Sequence, residues 1–295
     1  MENEKRLLII DGHSLLYRAF HALPPLSNSN GQLTNAVYGF LLILFRAIKD
    51  VEANYVVACF DTKKPTFRHE KFGDYKVHRA PMPDGIISQM PITKDVLGSL
   101  GIPIFEKEGF EADDLIATIA KKAEDSCQVY IVSGDLDNLQ LVDEKIKVYT
   151  LGRGIKDSII YDKTKVIERF GVEPLQMNDF KALTGDASDN VPGVPGIGKT
   201  TAADLIQRFG SVKNLYEEMA TDTALLKPKV KEALKANKEK AFLSLELVKT
   251  IQDVPLEFSV DGFKFGTFDL KRVEEVFREL GFTSLLDRLS TIVFD

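Results

Sequence analysis

The chain has 295 residues, 44% of them hydrophobic and 28% charged, with 38 Lys and Arg against 44 Asp and Glu for a formal net charge of −6. That length suits one large domain or two modest ones, with enough apolar residues for a core that needs no disulfide or metal staple. The longest apolar run, residues 36–45, falls well short of the roughly 20 residues of a membrane span, and the four apolar residues after the charged N-terminus are too few for a secretory signal. Cys59 and Cys127, each among apolar neighbours, read as buried free thiols in a reducing, cytoplasmic compartment.

Taken in chain order, Leu7–Ile10 is a short, continuous, apolar run of the kind that forms a buried parallel strand. Residues 36–48 are apolar almost all round, as in a central buried helix. Tyr55–Phe60 is a second strand. In 112–123, Ala112, Leu115, Ile116, Ile119, Ala120 and Ala123 recur at helical spacing. Val129–Val132 and Ile146–Tyr149 complete a set of four strands. Beyond about residue 160 the strand signal fades, and helices are expected at 162–170, 175–184, 200–209, 229–247 and 268–280. The pattern predicts an α/β domain over 1–185, with a mostly parallel central sheet flanked by helices, and a smaller helical domain over 186–295.

Carboxylates gather where these strands end. Asp11 follows the first, Asp61 the second, and Asp135 and Asp137 the third. Residues just past the C-terminal ends of parallel strands converge on one crevice. Glu111, Asp113 and Asp114 open the 112–123 helix, and Asp186 and Asp189 lie in the loop 185–190. Singly, each is explained as a turn former, an N-cap or a helix-dipole partner. Nine together at one sheet edge cannot all stay ionised without a cation. An all-oxygen set without His or Cys at ligand spacing fits Mg²⁺ or Mn²⁺ better than Zn²⁺. Such a site suits metal-assisted phosphodiester hydrolysis, in which two ions about 4 Å apart activate water and stabilise the leaving oxygen. Without those nine acids the remainder carries 38 basic against 35 acidic side chains, so the negative net charge does not argue against a nucleic-acid partner.

Residues 62–80 supply the complementary charge. Lys63, Lys64, Arg68, Lys71, Lys76 and Arg79 stand against Glu70 and Asp74, interleaved with Phe67, Phe72 and Tyr75. Cations hold phosphates and aromatic faces stack on unpaired bases. Lys76 and Arg79, three apart, are placed to steady a scissile phosphate. Further on, residues 193–200 satisfy the P-loop pattern G-x-x-x-x-G-K-T. That motif needs a strand immediately before it, and 185–192 reads as loop. Gly196-Ile197-Gly198 reads better as the tight turn of a helix-hairpin-helix around 190–209. There the backbone approaches a phosphate at the next helix N-terminus and grips it without reading sequence.

Together these strings resemble the 5′ nucleases, the flap endonucleases and 5′→3′ exonucleases that include the N-terminal nuclease domain of bacterial DNA polymerase I and its stand-alone relatives. The resemblance runs through Ile10-Asp-Gly-His-Ser14, residues 34–40, Phe60-Asp61, Thr66-Phe-Arg68, Tyr75-Lys76, Arg79-Ala-Pro81, Glu111-Ala-Asp-Asp114, Gly134-Asp-Leu-Asp137, Gln140-Leu141, Gly185 to Asn190 and Gly196-Ile-Gly198. It implies a PIN-like sheet and a hydrolase of replication and repair that cuts 5′ ends and 5′ flaps of DNA with two Mg²⁺ or Mn²⁺ ions. Asp11, Asp61, Glu111, Asp113, Asp135, Asp137 and Asp189 would hold the metal, with Asp114 and Asp186 behind them. Tyr75, Lys76 and Arg79 would act at the scissile phosphate within a helical arch around 62–95. Arg68, Lys71, Gly196, Gly198, Lys199, Thr200 and Thr201 would bind DNA, and carbonyls of Val194 and Ile197 a monovalent cation such as K⁺. A DNA polymerase, fused or separate, is the implied partner, and a monomer the expected state. Two positions depart from the family pattern. Thr200 stands where relatives carry a hairpin lysine, with Lys199 one place early, and Gly85 falls where a helix former is usual. The alternatives are a catalytically silent branched-DNA-binding module and a P-loop NTPase.

Overall fold

The computed structural model describes residues 4–152, 157–221 and 224–293. The α/β part runs β1 (Arg6–Asp11), α1 (Gly12–Ala22), α2 (Asn35–Val51), β2 (Tyr55–Cys59), α3 (Phe67–Lys71), α4 (Asp84–Ile87), α5 (Met90–Ser99), β3 (Ile104–Phe105), α6 (Ala112–Ala123), β4 (Gln128–Val132), β5 (Ile146–Leu151) and β6 (Ser158–Tyr161). Helices follow: α7 (Lys163–Phe170), α8 (Met177–Thr184), α9 (Lys199–Phe209), α10 (Val212–Ala220), α11 (Pro228–Ala236), α12 (Lys238–Val248), α13 (Leu270–Glu279) and α14 (Thr283–Val293). Among the described residues no helix is long and apolar enough to cross a membrane.

The sheet has the order β3-β2-β1-β4-β5-β6 and is parallel except for β6, which runs antiparallel to β5. β1 is central, pairing Leu7 with Tyr55 on one side and Val129 on the other. Its side chains alternate as the pleat requires. Leu7 and Ile9 enter the core beneath α6, Leu8 and Ile10 the core beneath α1 and α2, and all four are fully buried. At about 1.5–3 kcal/mol each, these residues tie the sheet to both helical layers. The chain builds outward from β1 through β2 to β3, then returns to add β4 on the opposite side. The switch in direction opens a crevice at the C-terminal ends of β1 and β4.

All four expected strands form. β3 has two residues and β6 is an edge strand, and neither length nor position leaves a pattern to read. The expected helix at 229–247 is two helices, parted at Asn237. The region 62–95 is no single arch helix: it consists of α3, α4 and the start of α5 with turns between. Gly85 has a packing reason, since a Cβ there would stand 2.9 Å from the Phe20 ring, so its absence lets α4 lie against α1. Helices α8 to α10 share the α6-side core, whereas α13 and α14 return to the opposite face, where Phe277 stacks on Phe45 of α2.

Candidate active site

Five segments meet at the crevice. Asp11 ends β1 and caps α1, accepting a hydrogen bond from the Ser14 amide (3.1 Å) and another from the Ser133 hydroxyl (2.6 Å). Asp61, just past β2, accepts the Ala112 amide at 2.7 Å, which locks the start of α6 to the sheet edge. Its own amide donates to His13 Nδ1 (3.1 Å). Asp135 follows β4 and accepts the Asp137 amide in a tight turn (3.0 Å). Asp113 in the first turn of α6 accepts from the Asn138 amide group (3.0 Å). The fifth segment is the loop carrying Asp186 and Asp189. It closes on itself through paired backbone bonds between Asp186 and Val191. Gly193 sits at φ 61° with its α-carbon against Gly185, and a Cβ there would stand 2.3 Å from the Gly185 nitrogen. A cavity of about 560 Å³ is lined by Asp11, Asp61, Glu111, Asp113 and Asp135 together with Lys76 and Arg79.

The cations bind the carboxylates at the two ends of this array. Lys76 reaches Glu111 at 2.8 Å and Asp189 at 3.7 Å, and Arg79 reaches Asp189 at 2.6 Å. The Tyr75 hydroxyl lies 3.3 Å from Glu111 and 3.2 Å from Asp189, and burial, then those two acids, push its pKa far up. The Lys76 amide also donates to the Asp189 carbonyl (3.0 Å), holding Lys76 at φ 57°. This left-handed conformation costs a non-glycine residue about 1–2 kcal/mol. At the other end Lys181 of α8 pairs with Asp137 and, at 2.7 Å, with Asp186. Burial alone would raise the Asp186 pKa, but Lys181 outweighs it and holds it at about 2.

Between these ends the charge is uncompensated. Among the described residues no lysine or arginine pairs with Asp11, Asp113 or Asp135. Burial raises Asp11 to about 7; its hydrogen bonds from Ser133 and Ser14 oppose the rise, and the charges of Asp61 and Asp135 add to it. Asp113 is pushed well above the carboxylate range by burial, then by Asp11, Asp135 and Asp137. Burial and Asp135 also bring Asp137 up to about 7 against the pull of Lys181. As it stands the array is not drawn in around one point: among the described residues no three His, Cys, Asp or Glu side chains group tightly enough to grip a single ion. The carboxylates at the ends are tied to cations, those in the middle are not.

One expected DNA contact lies elsewhere in the architecture, and one carboxylate stands behind the site, as expected of it. Arg68 is not a surface DNA contact. It is buried, forks onto Asp114 through two 2.8 Å bonds, and donates to the carbonyls of Leu247 and Lys249. Asp114 is not open to an ion. It is fully buried, and its two oxygens take the Arg68 fork plus the amides of Glu111 (3.1 Å) and Ile251 (2.8 Å), which uses all its acceptor positions. Lys71 is exposed and pairs with Glu246 at 2.6 Å. Gly196, Gly198, Lys199 and Thr200 are exposed at the start of α9 and Thr201 is half-buried, while the side chains of Val194 and Ile197 pack inward. Residues 185–192 are loop, so the P-loop reading lacks its strand. Unanticipated from the sequence are Lys181, Ser133, Asn138 and His13, which contact the carboxylates directly.

The family model for the 5'-3' exonuclease N-terminal resolvase-like domain matches residues 6–171, and that for the 5'-3' exonuclease C-terminal SAM fold matches 172–271. The chain belongs to the 5′–3′ exonuclease family. It is 42% identical over 290 residues to DNA polymerase I of Bacillus subtilis, covering 98% of this chain and 33% of that protein. It is 40% identical over 286 residues to DNA polymerase I of Mycobacterium tuberculosis, covering 96% of this chain and 31% of that protein. This 5′–3′ exonuclease chain thus spans about a third of the length of the curated relatives it matches. Its fold is that of the bacteriophage T5 D15 flap endonuclease, crystallised with DNA and metal ions, at a TM-score of 0.70 and 21% identity over 98% of each chain. It is also that of the catalytic core of Rad2 in complex with DNA substrate, at 0.65 and 18% identity over 99% of this chain and 93% of that one.

Proposed function

We propose that the chain is a metal-dependent 5′ nuclease that hydrolyses phosphodiester bonds at 5′ ends and 5′ flaps of DNA. The observation that carries this reading is the trio Asp11, Asp113 and Asp135, which lies at the crevice with raised pKa values for the first two and, among the described residues, no lysine or arginine ion-paired to it. Carboxylates that repel one another in a low-dielectric crevice call for a cation, and an all-oxygen set fits Mg²⁺ or Mn²⁺. Asp11, Asp113 and Asp135, with Asp61, Glu111, Asp137, Asp186 and Asp189 around them, are the residues that would hold two divalent ions. When bound, such ions supply an activated water and charge for the leaving oxygen.

The remaining steps belong to the chain's own side chains. Lys76 and Arg79 line the same cavity, so a phosphodiester entering it meets both cations, which would pass from Glu111 and Asp189 to phosphate as negative charge develops. Tyr75 holds Glu111 and Asp189 in register during that exchange. The exposed Gly196, Gly198, Lys199 and Thr200 and the half-buried Thr201 at the α9 N-terminus would grip duplex phosphates, with K⁺ on the Val194 and Ile197 carbonyls. The α/β part carries the chemistry and the helices from residue 186 hold DNA, with α13 and α14 bracing α2. A monomer acting beside a DNA polymerase, in the same chain or a separate one, completes the reading.

Product mapping on a 5′-labelled flap across a Mg²⁺ and Mn²⁺ titration tests it. Wild-type chain is expected to release short 5′ fragments only with a divalent ion. Asp135→Asn should abolish cleavage while leaving duplex binding largely intact. No product under any divalent ion would leave a silent DNA-binding module, and equal loss of binding and cleavage in Asp135→Asn would remove that carboxylate from the metal site.

A further inference from the structure

Lys181 differs from the other cations of the site in how it is held. Lys76 and Arg79 come from a turn between two short helices, whereas Lys181 belongs to α8, whose Phe180, Ala182 and Leu183 are buried in the core. Its backbone position is therefore set by packing, and its ammonium is held by ion pairs. It bridges two acids from separate segments, Asp137 after β4 and Asp186 after α8. The site thus has an end where a lysine on a core helix pairs with two acids and a middle, Asp11, Asp113 and Asp135, that among the described residues no lysine or arginine pairs with.

We propose that Lys181 is a built-in counter-ion that competes with a divalent ion for Asp137 and Asp186, so that metal enters first at the Asp11–Asp113–Asp135 end and the Asp137–Asp186 end fills only at higher concentration. The inference rests on the metal-dependent reading above. A fixed positive charge a few ångströms from a would-be ion repels it and shares the carboxylate charge the ion needs. The backbone at Lys181 cannot move away as a loop would, because its neighbours on α8 are core, so the ammonium stays within side-chain reach of both acids. Lys76 at the opposite end sits instead on a turn between two short helices, not on a core helix. The asymmetry makes the two ends fill in order, and it makes residue 181 a positioning residue that sets how much metal the second place demands.

Binding of Mn²⁺ to the full chain at pH 8, without DNA, is read from the electron paramagnetic resonance of the free ion. Wild type should show a tighter and a weaker class of site. In Lys181→Met the weaker class should tighten by roughly tenfold, while the tighter class moves little. Lys181→Arg keeps the charge and should keep the weak class weak, which a purely structural role for the lysine would not require. Melting in chelator should fall for Lys181→Met, since two half-buried acids lose their cation, and Mn²⁺ should restore more of it than in wild type. Lys181→Gln, which retains a donor for Asp186, supplies the same reading if Lys181→Met does not fold. The proposal is overturned if the weaker class stays where it was or weakens further, or if Lys181→Arg tightens it as Lys181→Met does. Wild-type chain that binds no Mn²⁺ overturns the metal reading and this proposal together; binding indifferent to residue 181 overturns this proposal alone.

Discussion

Replacing Asp11 by Asn should make the metal-free protein more stable and the metal-loaded protein inactive. Asp11 has a pKa of about 7 in the fold against an ordinary 3.8, a difference of about 3.2. At 1.36 kcal/mol per pH unit, holding it ionised above pH 7 costs about 4 kcal/mol. Asn keeps both local contacts, because its oxygen can accept the Ser14 amide and its amide can face the Ser133 hydroxyl. Cap strength is preserved too, Asn and Asp being near-equal N-caps. In chelator at pH 8, Asp11→Asn should therefore melt higher, by roughly 8 °C at about 2 °C per kcal/mol for a chain of this size. The gain should shrink by about 1.4 kcal/mol per pH unit below pH 7 and vanish near pH 4, where the wild-type carboxyl is protonated folded or unfolded. Adding Mn²⁺ should reverse the order, since only wild type retains the full ligand set and ligand binding stabilises the fold that binds it. Calorimetry of both proteins at pH 4, 6 and 8, with and without Mn²⁺, decides it. A gain independent of pH, or a loss at pH 8 in chelator, would refute the claim that the site is over-charged.

The same logic fixes the pH profile of the metal-free wild type. Asp11 and Asp137, both raised to about 7, contribute stability that is present below pH 4 and lost as pH climbs to 7, while Asp186, lowered to about 2, contributes stability present above pH 4 and lost toward 2. Denaturant unfolding in chelator should thus show a maximum near pH 4, and a maximum at pH 8 would contradict it. Arg68→Met leaves Asp114 buried without its fork and should cost about 3–5 kcal/mol in urea unfolding; a change under 1 kcal/mol would mean the clamp is ornamental. Gly193→Ala places a methyl against the Gly185 backbone at φ 61° and should cost more than about 1 kcal/mol. Flap cleavage should fall further than duplex binding, because the loop it displaces carries Asp186 and Asp189.

What the sequence discloses follows from how local each signal is. Asp11, Asp61 and Asp135 stand directly behind apolar runs, so the strand and the carboxylate are read in one glance and the parallel sheet brings them together. Asp114 was legible as something else: Glu111-Ala-Asp-Asp114 has the spacing of a capping box, and the structure shows that box, with Asp114 accepting the Glu111 amide. Arg68 carries no such sign. Among interleaved cations and aromatics it looks like a surface contact, and only the fold of α3 turns it toward Asp114, 46 residues away in sequence. Lys181 is a lone lysine on a helix, the most ordinary of solvated residues until the turn after β4 brings Asp137 to it. The partners of the carboxylates, unlike the carboxylates themselves, are set by tertiary packing.

That packing also joins the two halves of the proposed activity. Asp189 lies on the loop that leads into the hairpin, and the Val194 amide ties the end of that loop back to the Leu183 carbonyl at 2.9 Å. From Asp189 the connection continues outward, through its carbonyl to the Lys76 amide and through its carboxylate to Arg79. Asn190 adds a 2.7 Å bond to the Asp74 carbonyl. The start of α9, where we propose a duplex is held, is therefore joined to the same short segment that anchors the basic turn over the carboxylates. Gly185 and Gly193 pack backbone to backbone within that segment, so on the proposed reading a duplex docked at α9 and the ion pairs of Lys76 and Arg79 with their acids share one short connection.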